Sequence, residues 1–554
     1  MVRRAARPNP SKGPVSIGEE YPAPVGGWNA RDSIAAMPRT DAVVMDNWVP
    51  RAGYVELRRG HVQVVSGFAS PVETLIPFRG GAAGADKLFA AAGGAIYDGL
   101  TSPLGAALIS GLTSNRWNYT AFANSAGTWT IACNGADAPI GYHAGAWASV
   151  PALSGTSGSI SLTPATLLNV FAHKGRLFYL DKSSLYAWSP AAGAVGGACT
   201  LLDLGSIFTK GGRLAFGGSW SNEFGITVDD FAVFGTDQGQ VAVYQGIDPT
   251  NAATWGLVGT FDLAPPLGPR ALLKFGGDLA VVTADGVLPL SQALKLDRSQ
   301  ADQVAMTSKI INAFSSAVRA YKGNLGWQGL LYPGSTSTNL TDAAAGSLAI
   351  FNVPVATLGT SIQFVQNVLT GAWCRFTGLN AFCWELANDG VYFGGAAGVY
   401  QWDQGASDNG TAIVGNIVGA FSSFGAPAKI KTFHSIRPLL EASPLVAPAL
   451  DVCVDYQVRT PTAVPTVVGQ GVASSISYNW TGASGSGVAG APALSVNLRG
   501  DASVSVLGVG DVGGDLLAID GSGDTLLTSS NLPFDVRCRL HGFNLLYQPG
   551  AMIG

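Results

Sequence analysis

The sequence predicts an all-β protein: a β-propeller of about seven blades, six remaining an open count, with an inserted helix and a C-terminal β-sandwich-like domain. Three observations predict it. Gly accounts for 73 of 554 residues and charged residues for only 12%, while 47% are hydrophobic. That composition suits short strands joined by tight turns and does not suit a disordered chain. An apolar hairpin recurs along the chain. From about Ala420 the texture changes.

The hairpin is a short apolar strand, a turn containing Gly or Asp, and a second apolar strand ending in an aromatic. "LFAAAGGAIYDG" starts at Leu88, "WTIACNGADAPIGYHAG" at Trp129, "LFYLDKSSLYAW" at Leu177 and "FAVFGTDQGQVAVYQG" at Phe231. "LAVVTADGVLPL" starts at Leu279, "LAIFNVPVATLGTSIQFVQN" at Leu348 and "VYFGGAAGVYQWDQG" at Val391. Gly93-Gly94, Asn134-Gly135, Gln238-Gly239 and Asp285-Gly286 offer the positive φ that tight turns require. The starts lie about 41, 48, 54, 48, 69 and 43 residues apart, near the period of four-stranded propeller blades. One hairpin cannot bury its own face, but a ring of them shares a core and leaves only short edges. A Greek-key sandwich is the alternative with the same turns. The one long spacing contains residues 299–321, where Val304, Ile310, Ile311, Phe314 and Val318 recur at helical intervals.

These signals divide the chain into an N-terminal arm (1–64), a propeller (65–419) and a C-terminal all-β domain (420–554). In the last, "LDVCVDYQV" alternates like a half-buried strand and "FDVRCRLHGFNLLYQPG" closes as a strand pair. In the arm, Thr40 caps a short helix over 41–47, Pro50 ends it, Ala52-Gly53 turns, and "YVELRR" begins a strand. Trp28, Met45, Trp48 and Tyr54 need an apolar surface from elsewhere. Another chain or the chain's own propeller would supply it. Trp28, Asn29, Arg31, Asp32 and Trp48 are the candidate interface residues.

Net charge is −4 and the isoelectric point about 5.7, which excludes binding of nucleic acid by bulk counterion release. Arg3, Arg4, Arg7 and Lys12 read as a solvated tail or a contact arm. The opening residues lack the apolar core of a signal peptide, and no apolar run reaches the 18 or so residues of a membrane span. The six cysteines (Cys133, Cys199, Cys374, Cys383, Cys453, Cys538) form no CxxC pair and fit buried thiols in a reducing cytoplasm. Whether Cys374 and Cys383 face each other across a hairpin is left open by the sequence.

Catalytic signals are thin, and the expectation is a protein that is not an enzyme and uses no cofactor or metal. His61, His143, His173, His434 and His541 show no metal-binding spacing. No nucleophile elbow or Walker loop appears. "SAGTWT" and "TGAWCRF" resemble sialidase Asp-boxes without the Asp, and strand-end tryptophans explain them better. Asp229 and Asp230 are adjacent, and neighbours in a strand point to opposite faces, against a facing carboxyl pair. Gly514-Asp515 and Gly523-Asp524 repeat at nine residues, the period of calcium-binding β-rolls, but neither copy has the full core and hairpin turns are the plainer reading.

Four stretches carry a resemblance to a family. They are "GGWNARD…MP…DAVVMDNWVPRAGYVELRRG", "RWNYTAFANSAGTWTIACNGADAPIGYHAGAW", the long run from "FGGSW" to "GVLPLS", and "VQNVLTGAWCRFTGLNAFCWELANDGVYFGGAAGVYQWDQG". In order, they cover well over half the chain, which resembles the tail nozzle (tail tubular protein B) family of short-tailed bacteriophages. The resemblance implies a structural virion protein, assembled in the host cytoplasm. Six copies would form a ring below the head-to-tail adaptor, near tail fibre or needle proteins. The ring would enclose the exit channel, with genomic DNA passing through without specific binding. The alternative is a receptor- or carbohydrate-binding tail protein. The absence of heptads and of a regular β-helix repeat counts against that alternative.

Overall fold

The computed structural model describes residues 16–81, 84–224, 227–334, 347–427, 429–441, 449–453, 456–458, 478–479, 493–500, 508–509, 516–517 and 539–549. The chain divides into two compact units, Arg59–Thr411 and a second formed by Met1–Arg58 with Ala412–Gly554.

Arg59–Thr411 is a seven-bladed propeller. Blade one is Thr74–Phe78, Lys87–Ala92, Ala95–Asp98 and Ile109–Ser110; blade two is Asn118–Asn124, Gly127–Cys133, Ile140–His143 and Ala146–Ser149. Blade three runs from Leu167–His173 through Arg176–Asp181 and Tyr186–Pro190 to Cys199–Asp203. Blade four runs from Leu214–Phe224 through Thr227–Thr236 and Gln240–Gly246 to Trp255–Asp262. Blade five has three strands, Leu272–Phe275, Asp278–Thr283 and Gly286–Pro289. Blade six is Gln328–Tyr332, Leu348–Pro354, Ser361–Asn367 and Trp373–Phe376. Blade seven takes Cys383–Ala387, Gly390–Gly394 and Gly398–Trp402 from the end of the unit and its outermost strand, His61–Ser66, from the beginning. That borrowed strand closes the ring and covers the free edge of Gly398–Trp402. It also moves the propeller's start to Arg59, because residues 61–64, expected in the arm, belong to blade seven.

Each recurring hairpin of the sequence is the second and third strand of a blade. Gly94, Gly135, Gly239 and Gly286 sit in those turns at φ of 73°, 70°, 84° and 136°. Buried side chains join each blade to the next. Phe89 and Ile96 of blade one pack with Ala132, Ile140 and Trp147 of blade two. Ile131 meets Leu177 and Trp188 of blade three, and Phe171 and Phe178 meet Phe234 and Tyr244 of blade four. Val65, Leu75, Leu88, Cys383 and Tyr392 join blade seven back to blade one. Each fully buried Val, Leu, Ile or Phe among them contributes about 1.5–3 kcal/mol.

The expected helical insertion is present between blades five and six. Residues 299–321 contain several short turns and one longer helix, Ile311–Tyr321, which buries Phe314 and Val318. These segments lie beside Gly286–Pro289, where the other blades have a fourth strand.

The second unit joins the two ends of the chain. Arg539–Pro549 pairs with Ile17–Pro22, with Lys431–Glu441 and with Val55–Leu57, all antiparallel. Asp41–Asp46 pairs parallel with Gly27–Trp28 and antiparallel with Thr411–Gly419, which continues to Ala493–Gly500 and Ala449–Cys453. Residues 41–46 are therefore a strand and not the expected helix. Pairing on both sides, with Ala42 and Met45 wholly buried, outweighs the local cap signal of Thr40. The segments expected as a separate arm and a separate domain share these sheets. The Gly514-Asp515 and Gly523-Asp524 pairs, Cys538 and Arg3, Arg4, Arg7 and Lys12 lie outside the described residues.

Candidate functional site

The proposed interface residues come together in the second unit, mostly inside it. Trp48 is wholly buried and Trp28 nearly so. Asn29 is buried and organises a turn. Its Nδ2 donates to Asp32 at 2.9 Å and Asp41 at 2.7 Å, and its Oδ1 accepts from the amides of Arg31 and Asp32. Only Arg31 and Asp32 face solvent substantially, joined by a 2.8 Å ion pair. Trp48 is covered from within its own unit, opposite Leu57 and beside Gly415.

The ring has a different centre, which the sequence reading missed. A cavity of about 460 Å³ opens on the face where the first strands begin and the recurring hairpins turn. Glu73, Arg116, Asn118, Lys182, Arg270 and Lys322 provide its polar wall; Leu168, Leu267, Leu325, Leu358 and Phe382 provide its apolar wall. Six of the seven blades contribute.

Arg270 precedes blade five and reaches across the axis. Its guanidinium donates to the Glu73 carbonyl at 3.3 Å, to the Thr74 hydroxyl and to the Trp117 carbonyl at 3.0 Å. These acceptors belong to blades one and two, so the side chain spans the channel. Burial pulls its pKa below the usual guanidinium value, with the nearby Glu73 charge opposing. Pro265, Pro266 and Pro269 stiffen this loop, and "PPLGPR" was the available signal.

A second bridge links the innermost strands of the two blades that flank blade one. The Tyr119 hydroxyl, on the first strand of blade two, donates to Glu385 on the first strand of blade seven. Burial pushes the Glu385 carboxyl up to about 8, against the lowering effects of the Leu386 amide and Arg79. A lone acid in "FCWELAN" was its sequence signal.

Turn carboxylates tie the hairpins to the first strands. Asp137 accepts from the amides of Thr113 and Ser114, and Asp237 from the amide of Arg213. Asp181 accepts from the hydroxyls of Thr166 and Ser183 and from the Ser183 amide. Burial disfavours the Asp181 anion, but these bonds outweigh it and hold its pKa below the ordinary value.

The histidines are dispersed. His61 contacts Asp408 at 3.0 Å, His143 stacks on Trp129 at 3.9 Å, His173 lies between Ser219 and the Gly246 carbonyl, and His541 faces Glu441. His434 lies in Lys431–Glu441. Among the described residues, no group of three His, Cys, Asp or Glu is placed to hold a metal, and no helix is long and apolar enough to cross a membrane. The described cysteines form no disulfide. Cys374 and Cys383 occupy different blades, the outermost strand of six and the innermost of seven, so they do not face across a hairpin. Asp229 and Asp230 are successive positions of Thr227–Thr236, opposite Asn222 and Ser221.

The class defined by these sheets is a seven-bladed β-propeller. No family model and no curated protein matches the chain. Solved structures that resemble it include the extracellular domain of a hybrid two-component system from B. thetaiotaomicron. That match has 8% identity and a TM-score of 0.34, covering 70% of this chain and 42% of that one. Another is BBS1N, solved in complex with ARL6DN, at 8% identity and a TM-score of 0.25, covering 60% of this chain and 76% of that one. This chain thus spans under half of the first, and neither likeness carries a functional argument.

Proposed function

We propose that the protein is a structural subunit of a short phage tail: a nozzle component, six copies of which ring the DNA exit channel below the head-to-tail adaptor. The four sequence stretches supply the family. The observation that carries the reading is the outer edge of blade four. There Leu257, Val258 and the neighbouring Ile247 are 43%, 54% and 56% exposed, on or beside Trp255–Asp262. Such an apolar edge is a surface to be covered in an assembly. Val258 is the extra residue of a bulge between the Val243–Gly259 and Tyr244–Leu257 pairs. A bulged edge resists strand addition, so covering proceeds by side-chain packing.

Duplex DNA does not thread this propeller's own axis, which Arg270 bridges from blade five to blades one and two. The passage lies between subunits, and a chain of net charge −4 repels the cargo rather than gripping it. Of the candidate interface residues, Arg31 and Asp32 are the ones at the surface. Cryo-electron microscopy of the assembled particle without imposed symmetry tests the reading. Six copies around an axial channel are expected; three copies, or spikes off the axis, would overturn it in favour of receptor binding.

A further inference from the structure

We propose that the axial cavity of the propeller is a binding site for a small organic anion: an apolar body carrying a phosphate or carboxylate group. This goes beyond the nozzle reading and does not depend on assembly.

The charge of the wall is the first argument. One carboxylate, Glu73, stands against Arg116, Lys182, Arg270 and Lys322, a surplus of three positive charges in a chain that is acidic overall. Glu73 is already engaged by Arg116 at 2.8 Å and by the Asn115 amide at 3.0 Å. The direct acceptors of Arg270 are two carbonyls and a hydroxyl, all neutral. Lys182 donates to the Gly135 carbonyl, also neutral. Lys322 makes no ion pair among the described residues and is exposed. Three cations thus converge on one cavity without a carboxylate in direct contact. A partly enclosed wall strengthens their field at the centre.

The rest of the wall sets the character of the ligand. Asn118 and Asn134 are committed to the chain itself, donating to the Leu168 carbonyl and to the Ser114 carbonyl and Asp137. Asn324 likewise donates to the carbonyls of Pro354 and Val355. Few neutral polar groups remain to read a sugar. Leu325, 40% exposed, with Leu358 and Pro269, offers an apolar wall instead. A volume of about 460 Å³ lies in the range of small-molecule sites.

Calorimetric titration of the full chain with phenyl phosphate, benzoate, inorganic phosphate and benzamide tests this. Expected is one-to-one binding of phenyl phosphate or benzoate. Benzamide should bind at least about tenfold more weakly, and inorganic phosphate more weakly than phenyl phosphate. Which acid binds better separates the two head groups. Lys322→Gln and Lys182→Gln should each weaken binding about fivefold, and addition of salt should weaken it further. Lys322→Gln leaves every described hydrogen bond in place, and its melting point is the control for folding. Equal affinity for benzamide, unchanged affinity in both lysine variants, or no saturable binding would each overturn the proposal. Inorganic phosphate binding as tightly as phenyl phosphate would overturn the apolar part of it.

Discussion

The propeller and the unit made from the chain ends are both all-β, but they are wired differently. Six blades of the propeller are built from strands that follow one another in sequence. In the second unit, Ile17–Pro22 pairs with Arg539–Pro549, and Asp41–Asp46 with Thr411–Gly419, hundreds of residues apart. Blade seven adopts the same long-range wiring inside the ring. The contrast teaches where local sequence suffices to specify a sheet and where it does not.

The largest expected effect isolates that one blade. A chain of residues 59–411 retains all seven blades and should melt cooperatively. A chain of 67–411 lacks His61–Ser66 and leaves blade seven open, exposing Val65's partners Val72, Leu75 and Cys383. The loss should be on the order of 5 kcal/mol, comparable to a domain's whole stability. Calorimetry that finds equal melting points for the two would break the closure argument.

Next comes the inner wall of the ring. Glu385 holds its proton in the folded state to a pH of about 8, against the ordinary carboxyl value of 4.5 when unfolded. The folded state binds the extra proton between those values, so stability falls as pH rises from about 4.5 to 8 and then levels. Glu385→Gln, which keeps a partner for Tyr119, should remove that slope. It should raise stability at pH 8 by a few kcal/mol (on the order of 3) and change little at pH 4. Denaturant melts at the two pH values check this. A larger gain at pH 4 than at pH 8 would reverse the sign.

A counterpart exists in the second unit. A Cβ on Gly415 would lie 2.4 Å from Trp48 Nε1 and 2.6 Å from Leu57 Cδ1. Gly415→Val should cost about 1–3 kcal/mol by overpacking. Amide exchange should speed up in Asp41–Asp46 and Trp48–Pro50 while the amides of blades two to four stay protected. The smallest effect belongs to the blade turns. Asp181→Ala should cost about 1–2 kcal/mol at pH 7. Because the folded carboxyl lies below its ordinary 3.8, that contribution is present above about pH 4 and disappears as pH falls further. The difference between wild type and variant should therefore close in acid.

The hairpins were readable because their information is local. Alternation, a turn residue able to take positive φ and a closing aromatic lie within about a dozen residues. The helix at Ile311–Tyr321 was readable for the same reason. Residues 41–46 were misread because Thr40 speaks locally for a helix cap, while their partners, Gly27–Trp28 and Thr411–Gly419, are set by the fold. Trp48 looked unpartnered because Gly415, which lies beside it, is some 370 residues away in sequence. The axial cavity was illegible in another way. Its charges, Glu73, Arg116, Lys182, Arg270 and Lys322, are spread over some 250 residues and meet only when the ring closes.

The borrowed strand of blade seven also sets an order of events at the ribosome. His61–Ser66 emerges early, yet its partner Gly398–Trp402 is synthesised roughly 330 residues later. At about 5–20 residues per second, that is a wait on the order of half a minute. During it, the first strand of the ring is a latch without a catch, and blades one to six must stack before there is anything to fasten.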